Sequence, residues 1–101
     1  MLKRDITVIS LEAILVDVKV LFNYLNYFPD LNTQNHHATL YRKCVTAVAI
    51  DKGYTLVDIA KALLRSPKAI HVITTNIEED LKYDKELHHL LTICSKRMQC
   101  R

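Results

Sequence analysis

The residues best suited to chemistry in this chain form a short basic run, Arg65 to Ala69, at a predicted helix start. Arg65 and Lys68 flank Ser66, which can cap a helix, and Pro67, which fits the first helical position. The N–H groups at a helix N-terminus attract anions, and a nearby cation strengthens that attraction for phosphate. Serine and lysine there can also reach base edges in the DNA major groove. The run therefore indicates phosphate and nucleic-acid binding.

Two predicted helices position this run, one on each side of a turn at Arg65–Pro67. The first is capped by Thr55, and its apolar residues recur at helical spacing, at Leu56, Ile59, Ala60 and Leu63. The second begins at Pro67, and we expect its apolar stripe to be buried, at Ile70, Ile73, Ile77 and Leu81. Two capped helices joined by a tight turn predict a helix-turn-helix at about residues 55–81. The first residues of its second helix would then lie at the base edges.

A first helix is predicted at the beginning of the chain, starting at Thr7 or Ser10. We expect it to end at Phe28-Pro29, because a residue before proline resists helical angles. Its apolar stripe is wide and contains Leu11, Ile14, Leu15, Val18, Leu21, Phe22 and Leu25. Val16 and Val20 lie off that stripe, so this helix is expected to be covered on two sides, by its own domain or by a partner.

The remaining helices follow from caps and apolar spacing. Helix two is predicted from about Asn35 to Lys52, with Gly53 as the residue that ends it and an inner stripe of Leu40, Cys44, Ala47 and Val48. The helix that begins at Pro67, helix four in chain order, is expected to end in the acidic run at 78–80. Asp84 can cap helix five, whose inward residues are Leu87, Leu90, Leu91 and Cys94. One glycine and two prolines are too few for an all-β chain of 101 residues, so we predict one all-α domain, 1–101, built as a five-helix bundle.

Positive charge is concentrated in the predicted helix-turn-helix and in the helix before it. Residues 36–76 carry six basic groups, at 42, 43, 52, 61, 65 and 68, against two acidic groups, at 51 and 58. Phosphate contacts are expected on such a surface. The candidate DNA-binding residues are Arg42, Lys43, Lys61, Arg65, Ser66, Lys68 and Thr75. We expect Arg42, Lys43, Arg65 and Lys68 to form one basic surface, which Lys61 extends.

Other chemistries find little support in the sequence. The three cysteines form an odd set without C-x-x-C, which favours reduced thiols and a cytoplasmic location. The five histidines include two adjacent pairs, at 36–37 and 88–89, whereas zinc ligands on a helix are usually four residues apart. Without a glycine-rich loop or a catalytic triad pattern, we expect no enzyme, cofactor or metal. No uncharged apolar run of 18 or more residues predicts a membrane span.

The order of these segments resembles the C-terminal DNA-binding domain of the bacterial replication initiator DnaA. The similar segments are I-T-V-x-x-L-x-x-I-L at 6–15, L-Y-R-K-C-V-T-A-V-A-I at 40–50, G-Y-T-L-V-D-I-A-K-A-L at 53–63, R-S-P-K-A-I-H-V-I-T-T-N-I at 65–77 and K-Y-D-K-E-L-H-H-L-L at 82–91. The resemblance covers nearly the whole chain and implies a Trp-repressor-like helical fold. It also implies binding to double-stranded DNA in replication or transcription control.

The resemblance carries over to particular residues. Arg42 falls on the second arginine of the family's R-P-R-Q motif, and Lys43 falls on its glutamine, both positions that meet DNA in the family. The family's base-reading Asp-His-Thr-Thr positions are occupied here by residues 66–69, Ser-Pro-Lys-Ala, of which only the serine and the lysine keep polar reach. One alternative is therefore a protein-interaction module that keeps the fold and has lost sequence-specific reading. Another is a small dimeric transcription regulator, and a partner or second copy would use helix one or five.

Overall fold

The computed structural model describes residues 10–29 and 36–99, and five α-helices account for most of them. These are α1 (Leu11–Tyr24), α2 (His36–Asp51), α3 (Leu56–Leu63), α4 (Pro67–Tyr83) and α5 (Lys85–Gln99). The described ranges contain no strand, so the predicted all-α class with five helices is confirmed. The predicted helix starts at Thr7 and Asn35 lie outside the described residues.

Four side chains start helices by accepting backbone N–H bonds, each at a position that the sequence marked. Ser10 Oγ accepts from Ala13 N at 3.1 Å, and Thr55 Oγ1 accepts from Asp58 N at 3.2 Å. The start of α4 is capped by Ser66, whose Oγ accepts from the N–H of residue 69 at 3.1 Å, with Pro67 in the first turn. At α5, Asp84 Oδ1 accepts from the N–H of residue 87 at 3.0 Å. Local hydrogen bonding therefore sets these helix starts.

The Ser66 cap gives a direct test of this local control. We expect Ser66→Ala to lower the free energy of unfolding by about 1 kcal/mol, because one N–H at the start of α4 loses its acceptor. Urea unfolding followed by circular dichroism measures the change. Ser66→Asp is the matched control, since its carboxylate keeps the acceptor and suits the helix dipole. Equal losses in the two variants would contradict the capping role.

Three helices end in the same reverse turn, built around a residue with positive φ. These residues are Asn26 at φ 69°, Gly53 at φ 96° and Leu64 at φ 58°. In each case the following N–H bonds back five residues, as in Tyr54 N to Ala49 O at 3.0 Å. Gly53 ends α2 as predicted. The predicted end of α1 at Phe28-Pro29 is wrong, because the turn at Asn26 stops the helix at Tyr24.

The end of α4 also differs from the prediction. The acidic run at 78–80 does not terminate the helix, which continues to Tyr83 before Asp84 N bonds to Asp80 O at 2.8 Å. Asp84 both closes α4 and caps α5, so the two helices are joined without a loop. Two of the acidic residues, Glu78 and Glu79, are exposed, whereas Asp80 is half-buried.

Helix α2 is the centre of the bundle and contacts all four other helices. It contributes most of its length to the core, at Ala38, Leu40, Tyr41, Cys44, Val45, Val48 and Ala49. Around it lie Ile14, Val18 and Phe22 of α1, Ile59, Ala60 and Leu63 of α3, Ile70 of α4, and Leu87, Leu90 and Cys94 of α5. The predicted stripe of α4 is only partly confirmed. Ile70 is fully buried, but Ile73, Ile77 and Leu81 are half-buried and border a surface cavity.

Candidate nucleic-acid interface

A cavity of about 350 Å³ opens where α2 faces the α3–α4 turn and the first two turns of α4. It is lined by Thr39, Arg42, Lys43, Arg65, Ala69, Val72 and Ile73. Three of the predicted DNA-binding residues, Arg42, Lys43 and Arg65, therefore meet at one site. We call this set of lining residues the basic cavity.

Helical spacing and the α3–α4 turn place the cations of the basic cavity. Arg42 and Lys43 follow Thr39 by three and four residues, so the three side chains share one face of α2. Arg65 is placed by the left-handed turn at Leu64, and its N–H donates to Ala60 O at 2.9 Å. Because the next residue, Ser66, caps α4, the arginine lies beside a helix N-terminus, where an anion is favoured.

Arg42 is the most enclosed cation of the site, with 4% of its surface exposed. Burial lowers the pKa of its guanidinium from the usual value, and the positive charge of Arg65 lowers it further. Arginine nevertheless remains protonated in proteins. Two positive charges are thus held close together at a cavity wall. An anion in the cavity would stabilise both, because it offsets their repulsion and the lost hydration.

Lys43 is held by an ion pair across the site. Its Nζ lies 3.1 Å from Asp80 Oδ2, and the side chains are 22% and 34% exposed respectively. The pair joins α2 to the last turns of α4. Part of the positive charge at this edge of the cavity is therefore neutralised, which reasoning along single helices did not anticipate.

The other predicted DNA-binding residues do not line the basic cavity. Lys61 and Lys68 are exposed, and Ser66 uses its hydroxyl as the helix cap. Thr75 is exposed, and its hydroxyl donates to His71 O at 2.9 Å within α4. Lys61 belongs to α3, Ser66 and Lys68 stand at the start of α4, and Thr75 lies about two turns further along α4. Sequence reasoning did not single out Thr39, although its spacing from Arg42 was a usable signal.

A second polar cluster joins the segment that follows α1 and the start of α2 to α5. The carboxylate of Glu86 accepts a hydrogen bond from the hydroxyl of Tyr27, and its Oε1 lies 2.6 Å from His36 Nε2. His37 Nδ1 accepts from Phe28 N at 2.9 Å, and its ring lies 4.8 Å from that of Tyr27. The sequence analysis did not predict this cluster, because Glu86 is 50 residues from His36 and 59 residues from Tyr27 in the chain. It fastens three elements together.

This cluster predicts a pH-dependent contribution to stability. Hydrogen bonds from Tyr27 and then from His36 lower the pKa of Glu86 from its usual value. A carboxyl with a lowered folded pKa stabilises the protein fully above its unfolded pKa, about 4.3, and loses that contribution as pH falls through the folded pKa. We therefore expect Glu86→Gln to be less stable than the parent at pH 6, with the difference closing in acid.

Urea unfolding of both proteins at several pH values between about 3 and 6 measures this difference. Glu78→Gln, which removes an exposed carboxylate of α4, is the control and should show a smaller difference at pH 6. A gap between parent and Glu86→Gln that stays constant through the acid range would contradict the assignment.

Both described thiols belong to the hydrophobic core. Cys44 and Cys94 are free and buried, on facing sides of α2 and α5. A hydrogen bond with Cys94, followed by burial, raises the pKa of the Cys44 thiol, which favours its unreactive protonated form. Cys100 lies outside the described residues. Within residues 10–29 and 36–99, no group of three or more His, Cys, Asp or Glu side chains is placed to hold a metal ion.

Comparisons of the chain with known protein families, with curated proteins and with solved structures found no match. The resemblance to the initiator domain therefore stays a prediction that rests on the quoted residues. Among the helices of the described residues, none is long and apolar enough to cross a bilayer.

Proposed function

We propose that this protein binds double-stranded DNA through the basic cavity and the exposed start of α4. The observation that carries the proposal is the convergence of Arg42 and Arg65 at one cavity, beside the N-terminus of a capped helix. Two neighbouring guanidinium groups and a helix start are suited to a phosphate oxygen. The sequence resemblance independently implies the same ligand class and a role in replication or transcription control.

In this proposal the cations have different tasks. Arg42 and Arg65 hold one backbone phosphate at the cavity, and Lys43 contributes when its pairing with Asp80 loosens. Lys68 projects from the first turn of α4 towards the groove, with Lys61 on α3 extending the phosphate contacts. The position of Pro67 removes a backbone donor, and Ala69 offers only a methyl group, so we expect modest base preference. Affinity should come mainly from phosphate contacts.

A salt series on random duplex DNA tests this proposal. The logarithm of the affinity should fall linearly with the logarithm of the salt concentration, with a slope of about −3 to −4 if four cations meet phosphates. Absence of binding at low salt, or binding that does not respond to salt, would overturn the proposal. The interaction-module alternative would then take its place, since the exposed Val16 and Val20 of α1 favour a protein partner.

Asp80 provides a gain-of-binding prediction at the same site. Asp80→Asn frees Lys43 from its ion pair and removes a carboxylate that repels phosphate, so we expect DNA affinity at low salt to rise about threefold. Fluorescence anisotropy with a labelled duplex measures it. Glu79→Gln removes the same charge from an exposed position on α4 and is the matched control. Equal increases in the two variants would argue that only net charge matters.

A further inference from the structure

The outer face of α1 presents an apolar stripe that no other described element covers. Val16, Val20 and Tyr24 recur every four residues, so they align along one face, and they are 60%, 54% and 83% exposed. The half-buried Ala13 extends the stripe towards the start of the helix. The buried face of the same helix, with Ile14, Val18 and Phe22, packs on the core. We call the four residues Ala13, Val16, Val20 and Tyr24 the α1 stripe.

The charges beside the α1 stripe are distributed unevenly. At 3.6 residues per turn, Glu12 and Lys19 lie along one edge of the stripe, whereas Asp17 lies along the other. Glu12 and Lys19 are both exposed and are two turns apart. One edge thus carries opposite charges at its two ends, and the other edge carries a carboxylate.

We propose that the α1 stripe is the contact surface of a homodimer, in which α1 packs antiparallel against α1 of a second copy. A two-fold antiparallel pair brings each edge against the same edge of the other copy, in reverse order. Glu12 of each copy then faces Lys19 of the other, giving two equivalent ion pairs. Parallel pairing would instead bring opposite edges together and place Glu12 near Asp17, which is repulsive. The charge pattern therefore selects a second copy in the antiparallel orientation.

The side-chain sizes of the α1 stripe fit this arrangement. In the register that pairs Glu12 with Lys19, the two Val16 side chains meet near the two-fold axis. Each Val20 then lies against the small Ala13 of the other copy, so a larger side chain faces a smaller one. One helix pair buries less than the roughly 1,600 Å² of a standard interface. The dimer is accordingly weak and forms with rising protein concentration.

Pairing through α1 leaves the basic cavity open. No residue that lines the cavity belongs to α1, and α1 makes no contact with α4 among the described residues. The dimer therefore goes beyond DNA binding and does not depend on it. If the protein both dimerises and binds DNA, the dimer presents two basic cavities related by a two-fold axis, which suits a palindromic DNA site.

Sedimentation equilibrium of the parent chain from about 1 µM to 1 mM tests the proposal. We expect a monomer–dimer equilibrium within that range. Val20→Asp should weaken dimerisation at least about tenfold, because it places a carboxylate in the apolar contact. Val57→Asp, at a 50% exposed valine of α3, is the matched control and should leave the equilibrium unchanged. If Val20→Asp fails to fold, Val20→Thr is the substitute: it changes the polarity less and should also weaken dimerisation.

Charge exchange distinguishes a second copy from any other occupant. Glu12→Lys and Lys19→Glu, each alone, place like charges against each other and should weaken the dimer about threefold to tenfold. The double variant restores opposite charges and should recover parental dimerisation. A parent that stays monomeric at the highest concentration would overturn the proposal. So would a double variant as weak as the singles, or equal loss in Val57→Asp.

Discussion

Phe22→Ala should lower the free energy of unfolding by about 3–5 kcal/mol, the largest stability effect that we expect from one substitution. Phe22 is fully buried on α1, and its ring makes edge contacts with Tyr27 and Tyr41 at centroid distances of 5.8 and 5.7 Å. Alanine would leave a cavity and remove both aromatic contacts. Since domains of this size have about 5–15 kcal/mol of stability in all, the variant should be marginal.

Urea unfolding followed by circular dichroism measures this loss. Phe22→Leu keeps most of the volume and should cost clearly less than the alanine variant. Tyr83→Ala is the exposed control, because this tyrosine at the end of α4 is 80% exposed and its loss should change stability by less than about 0.5 kcal/mol. Typical surface substitutions change the free energy of unfolding by less than about 1 kcal/mol. A change that small for Phe22→Ala would contradict the packing of α1 on α2.

Removing the basic surface should abolish most of the DNA affinity. We expect the affinity for duplex DNA at low salt to fall at least about 100-fold in a quadruple variant. Its substitutions are Arg42→Met, Lys43→Ala, Arg65→Ala and Lys68→Ala. Its salt slope should shrink to about −1, the share left to Lys61, since each lost phosphate contact removes about 0.9 from the slope. Methionine at position 42 keeps packing volume at a site that is 4% exposed in the parent.

The matched control removes four exposed cations from another surface. Lys82, Lys85, Lys96 and Arg97 lie at the end of α4 and on α5, and their replacement by alanine changes the net charge by the same amount. This control should retain most of the parental affinity and slope at equal ionic strength. If both variants lose binding equally while folded, net charge and not the basic cavity governs the interaction.

Most of the helix framework could be predicted from the sequence. Ser10, Thr55, Ser66 and Asp84 each cap a helix within three residues of themselves, so the interaction is readable from short spacing. The apolar periods likewise predicted five helices. Helix ends were harder to predict from the sequence, because Asn26 and Leu64 adopt positive φ without the glycine that usually marks such a turn.

For the candidate site too, one part could be predicted from the sequence and another part depended on the fold. The basic residues near the start of α4 were visible as a local excess of charge, and their types indicated phosphate. Only tertiary packing decided that Arg42 is buried beside Arg65 and that Lys43 pairs with Asp80. Those outcomes depend on how α2 crosses α4, and helix crossing is set by the shapes of many side chains at once. The sequence by itself determined where helices begin and which charges are available. The fold determined which charges meet, because residues distant in the chain become neighbours only when the core closes.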